Sequence, residues 1–263
     1  MPQIKVNDIN IYYEKHGSGF PLLMNIGYNI DWWDPNLIDV LSKHFTVVIY
    51  DCRGVGRTDD TDLDYTNKTL ADDAIGLLEA LNIERAHFYG ISGFGGIVME
   101  IALTYPERVE KIVLCSTQCM GRKAFFPSPD VIKMTGRTNL AFNSEEQIRE
   151  IIPYVLTEEY IKNNPVEIDN FIKKILKNPI SEETLKRRMK AGLTLLSCKR
   201  LKNIKAKTLI MHGKKDILVV PENAEVLANL IPDAKVVLFE KSAHNIFAEE
   251  SELFTKTLLE FLL

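Results

Sequence analysis

Apolar residues along this chain recur with two periods, and the two alternate. Residues 4–6 and 9–14 read as short strands around Asn7-Asp8, which predicts an antiparallel opening hairpin. Residues 21–26 predict a third strand, and a helix follows over about 33–44. Residues 46–51 form a continuous apolar run, the pattern of a strand buried on both faces. Leu70, Ala74, Leu77, Leu78 and Leu81 then fall on one helical stripe, with Thr69 placed to cap it and Asp72 three residues on. The run Ala86-His87-Phe88-Tyr89 leads into a glycine-dense turn, and a helix begins at Ile97-Val98-Met99. Strand patterns return at 109–115, 208–212 and 235–239, with helices over about 221–231 and at the end of the chain, where Phe254, Leu258, Phe261 and Leu262 keep helical spacing. Strands separated by helices predict an α/β fold: a mostly parallel sheet, eight strands in all, with helices on both faces.

Between residues 121 and 200 the strand signal disappears. Helical stretches near 145–156, 165–176 and 181–195 are broken by Pro127, Pro129, Pro153, Pro165 and Pro179. This predicts a helical cap, 121–200, inserted into a core formed by 1–120 and 201–263. The charge divides along the same line. The insertion holds 15 Lys and Arg against 10 Asp and Glu, a net of +5; the remainder, with 17 against 26, carries −9.

The chain has 263 residues, 46% of them hydrophobic and 26% charged, enough to bury a sizeable core. A net charge of −4 argues against nucleic acid as a partner. Neither a signal peptide nor an apolar run of membrane-spanning length is visible, so the expectation is a cytoplasmic protein with no membrane partner. Cys52, Cys115, Cys119 and Cys198 form no C-x-x-C pair, which predicts neither a metal site nor a disulfide framework, and buried inert thiols are the expected state of Cys115 and Cys119.

Ser92 sits in Gly90-Ile91-Ser92-Gly93-Phe94-Gly95-Gly96, between strand and helix. Such a turn can hold a hydroxyl in a strained, exposed position at the end of a buried strand. A serine nucleophile needs a histidine to take its proton and an acid to fix that histidine's tautomer. Of the five histidines, His16 and His44 lie early in the chain, His87 is too far back in its own strand, and His212 closes a strand. His244 lies in the loop after the last strand and Asp216 in the loop after the strand before it, over the sheet edge where catalytic groups of parallel sheets collect. Ser92, Asp216 and His244 thus form the candidate constellation, with Ser92 as nucleophile, His244 as base and Asp216 as orienting acid.

Asn25-Ile26-Gly27-Tyr28 with Asp31-Trp32-Trp33, Asp51 to Thr58, Gly90-Ile91-Ser92, Ala102 to Val109, His212-Gly213-x-x-Asp216 and His244 occur in that order, and together they resemble the α/β-hydrolase fold. The resemblance is to its 3-oxoadipate enol-lactonases, small carboxylesterases and cofactor-free haloperoxidases, and it covers nearly the whole chain. It implies hydrolysis of a small-molecule ester or lactone through an acyl-enzyme, with neither cofactor nor metal. It also implies an oxyanion hole from the backbone N–H groups of Tyr28 and Gly93. Two departures stand out. Phe94 replaces the second glycine of Gly-x-Ser-x-Gly, leaving open a working variant of the turn or a remodelled site, and Ile26-Gly27 replaces His-Gly. Ser92 excludes the aspartate nucleophile of dehalogenases and epoxide hydrolases. Trp32, Trp33, Phe94, Phe125, Phe126, Met134 and Phe142 are the candidate pocket residues. Arg53 is read as a packing and hydrogen-bonding residue, and the run Lys186 to Lys190 as a solvated helix face. Carbon–carbon bond hydrolysis, acyl transfer and a low-turnover ligand-binding role remain alternatives, and homo-oligomerisation is left open.

Overall fold

Strands β1 (Gln3–Val6), β2 (Ile9–His16), β3 (Phe20–Asn25), β4 (Phe45–Tyr50), β5 (Ala86–Ile91), β6 (Val109–Cys115), β7 (Lys207–Gly213) and β8 (Ala234–Phe239) form one sheet in the computed structural model. It describes residues 3–25, 29–138, 144–193 and 197–263. The order is β1-β2-β4-β3-β5-β6-β7-β8. The β1–β2 and β2–β4 pairings are antiparallel and all others parallel. Helices follow in chain order: α1 (Pro35–Leu41), α2 (Asn67–Ala80), α3 (Gly95–Thr104), α4 (Pro129–Thr138), α5 (Glu145–Val155), α6 (Glu158–Asn163), α7 (Pro165–Leu176), α8 (Glu182–Leu193), α9 (Glu222–Leu230), α10 (Ile246–Glu249) and α11 (Ser251–Leu262). Helices α4 to α8 all fall between β6 and β7. No helix of the described residues is long and apolar enough to cross a membrane.

Alternation along the central strands divides the core. Leu23 and Phe88 point to one face and pack with α2, α3 and α9 through Leu77, Val98 and Leu227. Their neighbours Met24 and Tyr89 point to the other, with Leu41 of α1 and Phe254 and Leu258 of α11. Such burial on both faces is why the apolar runs of these strands are nearly continuous.

Several boundaries differ from the sequence reading for identifiable reasons. Thr66, not Thr69, caps α2; Thr69 is the partner three residues on, and each hydroxyl meets the other's backbone N–H at 3.3 Å. Helix α1 starts at Pro35 because Asp34 accepts the Asn36 N–H at 2.8 Å, and proline suits the first helical position. The final helical pattern divides at Glu250 into α10 and α11.

Arg53 is 4% exposed and spans two elements. Its guanidinium meets both oxygens of Asp73 in α2 at 2.8 Å and both of Asp8 in the hairpin turn at 2.7 and 3.1 Å. Planar two-pronged pairing is what an arginine offers and a lysine does not.

The cysteine reading requires correction. Cys119 and Cys198, 79 residues apart in sequence, are joined by a disulfide, whereas Cys52 and Cys115 are free and buried. The chain leaving β6 and the chain returning to β7 run side by side, with Met120 bridged to Ser197 and the Cys198 N–H donating to Met120 O at 3.0 Å. That proximity is tertiary and leaves no mark on cysteine spacing.

Two outcomes follow from these contacts. Arg53→Met should destabilise the fold by about 3–5 kcal/mol, because it strands the buried Asp73 carboxylate; urea unfolding measures this, and a change below about 1 kcal/mol would contradict it. His87 lies between the rings of Phe20 and Phe45, with centroids at 4.7 and 6.0 Å. Burial, followed by Lys111 and Arg85, pulls its imidazole down to about 4. A folded value below the unfolded one of about 6.5 means that stability falls as the pH drops from about 6.5 to about 4. In His87→Phe this part of the acid-induced decline in Tm should vanish, leaving the variant several degrees more stable relative to wild type at pH 4.5 than at pH 7.5.

Candidate active site

β5 ends inside the sheet and drives the chain directly into Ser92, which is held at φ 53°. A non-glycine residue in that region is strained, and such strain collects at functional turns. One 3-10 turn, Ser92 to Phe94, joins Ser92 to α3. The close approaches fall on either side of Phe94. A Cβ on Gly90 would lie 2.7 Å from Phe94 O, and one on Gly95 would collide with the Thr117 side chain. Phe94 itself has φ −82° and ψ −15°, ordinary helical backbone that any residue adopts. The turn therefore needs glycine at 90 and 95 and tolerates phenylalanine at 94. Thr117, beyond β6, donates its hydroxyl to Ser92 O at 2.5 Å and fixes the turn from below. Gly93 is exposed, with open space where a Cβ would be, and its N–H lies at a helix start, where amides lack intrahelical acceptors.

Asp216 occupies the turn after β7 and is buried. Its Oδ1 accepts the N–H groups of Leu218 and Val219, each at 2.9 Å, and its Oδ2 lies 2.7 Å from His244 Nδ1. Gly213 brings the two loops together: a side chain there would run into the backbone carbonyls of Ser242 and Ala243. Burial alone would raise the Asp216 carboxyl. The facing His244, with hydrogen bonding from His212 and His244, outweighs that and brings it down to about 2. Such a carboxylate holds the His244 N–H on Nδ1 and leaves Nε2 as the basic nitrogen.

The His244 loop is itself restrained. Ser116 donates to His244 O at 2.8 Å, and Glu249 accepts the Ala243 N–H at 2.6 Å. The other oxygen of Glu249 accepts both the N–H and the hydroxyl of Thr157, at 2.8 and 2.5 Å, and the Asn245 N–H donates to Val155 O at 3.0 Å. The loop is thus bound directly to the segment joining α5 and α6.

Ser92 and His244 both line one cavity of about 180 Å³. Its walls are Trp32, Trp33, Tyr89, Ile91, Phe94, Leu218 and Phe247 from the core and Ile148, Ile151, Ile152, Val155 and Phe171 from α5 and α7; Asp34 and Asn245 add polar atoms. Trp32 and Phe171 meet edge to face at 5.7 Å. Of the expected pocket residues, Trp32, Trp33 and Phe94 are in place. Phe125 and Phe126 are not: they are 50% and 54% exposed, because Asn223 of α9 grips the Phe125 backbone at 3.0 and 2.9 Å and keeps that loop on the outside. Met134 is buried but does not line the cavity. Tyr28 and Phe142 lie outside the described residues. Cys115 does not reach the cavity either; it lies under Tyr89, and burial pushes its thiol up to about 12. The wall from α5 was legible in principle, since Ile148, Ile151, Ile152 and Val155 follow helical spacing. Nothing in the sequence marks Ser116, Thr117 or Glu249.

The run Lys186 to Lys190 is not simply a solvated face. Arg187 and Lys190 pair with Asp60 and Asp64 of the core, and the Arg188 guanidinium sits 4.8 Å from the centre of the Phe94 ring. Among the described residues, no group of three or more His, Cys, Asp and Glu is arranged to hold a metal ion.

A family model described as the alpha/beta hydrolase fold matches residues 18–251. A relative from Azorhizobium caulinodans, given the name carbamate hydrolase RutD, is 28% identical, with 99% of this chain and 98% of its own length covered. The 2-hydroxy-6-oxo-6-phenylhexa-2,4-dienoate hydrolase of Comamonas testosteroni is also 28% identical, over 98% of this chain and 92% of its own. Among solved structures, the enol-lactonase from Burkholderia xenovorans LB400 superposes with a TM-score of 0.83 at 26% identity, covering 99% of each chain. With its strand order, its turn at Ser92 and a match across nearly its full length, the chain belongs to the α/β-hydrolase-fold family and is a hydrolase.

Proposed function

We propose that this hydrolase cleaves a carboxylic ester or lactone of a small apolar molecule through an acyl-enzyme on Ser92. The observation that carries the reading is the meeting of a strained Ser92 and an Asp216-held His244 on one apolar cavity. Ser92 Oγ adds to the carbonyl carbon as its proton passes to His244 Nε2, and Asp216 stabilises the imidazolium. The oxyanion takes hydrogen bonds from the Gly93 N–H and, in the proposal, from that of Tyr28. Each such donor is worth about 10²–10³ in turnover. Collapse expels the alcohol with the proton from His244. Water, deprotonated by the same nitrogen, then adds to the acyl carbon, and the acid leaves as Ser92 is regenerated. The proposed partner is thus a small molecule alone.

Cavity size and lining narrow the substrate. About 180 Å³ is close to the roughly 150 Å³ that holds a benzene ring in an engineered protein cavity. Apolar walls favour an aryl or short alkyl acyl group, so the net positive charge of residues 121–200 is no argument for a carboxylate-bearing substrate. A second reading, hydrolysis of a carbon–carbon bond, draws on the Comamonas relative's named activity. It differs only in the leaving group, a carbon rather than an oxygen.

A fluorophosphonate should label Ser92, and Ser92→Ala should abolish both labelling and ester hydrolysis; unlabelled wild-type protein would refute the proposal. Asp216→Asn should keep substrate binding and lose about 10⁴ in kcat, because the amide cannot hold the same tautomer of His244. Across p-nitrophenyl esters, kcat/KM should peak at short or aryl acyl groups and fall at least about tenfold by dodecanoate, since an overlong chain must be left in water. A flat series would remove the cavity from the argument.

A further inference from the structure

His212 is the penultimate residue of β7 and is fully buried, yet it does not line the cavity. Its Nε2 lies 2.7 Å from Val219 O. A carbonyl only accepts, so the ring proton is on Nε2. The same nitrogen lies 3.3 Å from Asp216 Oδ2, the oxygen that holds His244. Val219 is gripped from its other side as well, for its N–H donates to Asp216 Oδ1. His212 therefore holds the carbonyl of the very residue whose amide holds the carboxylate, and it turns the positive edge of an N–H toward that carboxylate. Nδ1 has no hydrogen-bond partner among the described residues. Packing alone does not explain an imidazole here, because a phenyl ring would fill the space without burying an unpaired nitrogen.

We infer that His212 is a positioning residue acting through Asp216: it fixes the Asp216 turn and tempers the basicity of the carboxylate toward His244. The inference rests on the serine-hydrolase reading. The titratable groups facing Asp216 are His244, His212 and the Cys115 thiol, and the last keeps its proton throughout the working range. Without the His212 N–H, the carboxylate charge is less neutralised and binds the His244 imidazolium more tightly. The acidic limb of the activity profile then lies at higher pH.

The test measures p-nitrophenyl ester hydrolysis between about pH 5 and 9, with fluorophosphonate labelling of wild type as the prior control. His212→Phe keeps the ring and loses the donor. His212→Gln carries an N–H out to the Nε2 position, and His212→Asn is too short to do so. The expected result is a fall of about tenfold or more in kcat for the Phe and Asn variants with KM held within about twofold. Their acidic limb of kcat/KM should move to higher pH, and most of the loss should be recovered in His212→Gln. A folded His212→Phe with wild-type rate and profile overturns the inference, as does a limb that moves to lower pH or a Gln variant no better than Asn. Should the Phe variant not fold, the Gln and Asn pair decides. Wild type left unlabelled at Ser92 would sink the hydrolase reading itself, whereas labelled wild type with indifferent variants sinks only the role of His212.

Discussion

A carboxylate sealed from solvent must be met by donors on every side, and the burial of Asp216 organises much of what surrounds it. Two backbone amides satisfy one oxygen and an imidazole the other. Those partners arrive from two different segments. The amides require a tight turn directly after β7, the imidazole requires the loop after β8 to cross over that turn, and the crossing requires Gly213. Removing either the turn or the crossing leaves a charge in the interior, at a cost of several kcal/mol. The geometry of the Asp216–His244 pair is therefore enforced by the stability of the fold and does not depend on a ligand to assemble it.

The parallel sheet explains why these pieces meet at one edge. β5, β6, β7 and β8 run in the same direction, so Ser92, Ser116, Asp216 and His244 all follow strand ends on one rim. Thr117 and Ser116, which follow the strand between, act in opposite directions: one holds Ser92 O and the other His244 O. The positive φ of Ser116, 44°, parallels that of Ser92. Two adjacent strands thus end in strained serines, one open to the cavity and one buried beneath it as a brace.

What the sequence disclosed and what it hid follow from the range of the interactions. The strand–helix alternation, Ser92, Asp216 and His244 were legible because each rests on local pattern and chain order. Glu249, Thr117 and the Cys119–Cys198 bond were not, since each is defined by a partner 25 to 92 residues away. Phe125 and Phe126 misled for the same reason: aromatic character suggests a pocket wall, but Asn223, 98 residues on, decides where their loop lies. Thr66 displaced Thr69 as the cap of α2 although the spacing permitted either. In a two-threonine capping box only the backbone distinguishes the cap from its partner.

The charge division seen along the chain acquires a physical meaning once α8 is placed. A basic segment over an acidic core is held by Arg187 on Asp60 and Lys190 on Asp64, with Arg200 on Glu100 at its root. Of these pairs, Lys190–Asp64 is exposed and worth little alone, about 0–1 kcal/mol, whereas Glu100 is buried and both its oxygens meet Arg200. Their value is directional. Apolar burial by α5 and α7 drives the helices onto the core but is indifferent to small shifts, whereas ion pairs at α8 and the Glu249–Thr157 bonds at the other end fix register over the cavity. Phe94 lies between these regimes, one face toward the cavity and Arg188 near its ring. The residue that breaks the Gly-x-Ser-x-Gly pattern thereby ties the Ser92 turn to the helices above it. A glycine at that position would keep the turn and lose the tie.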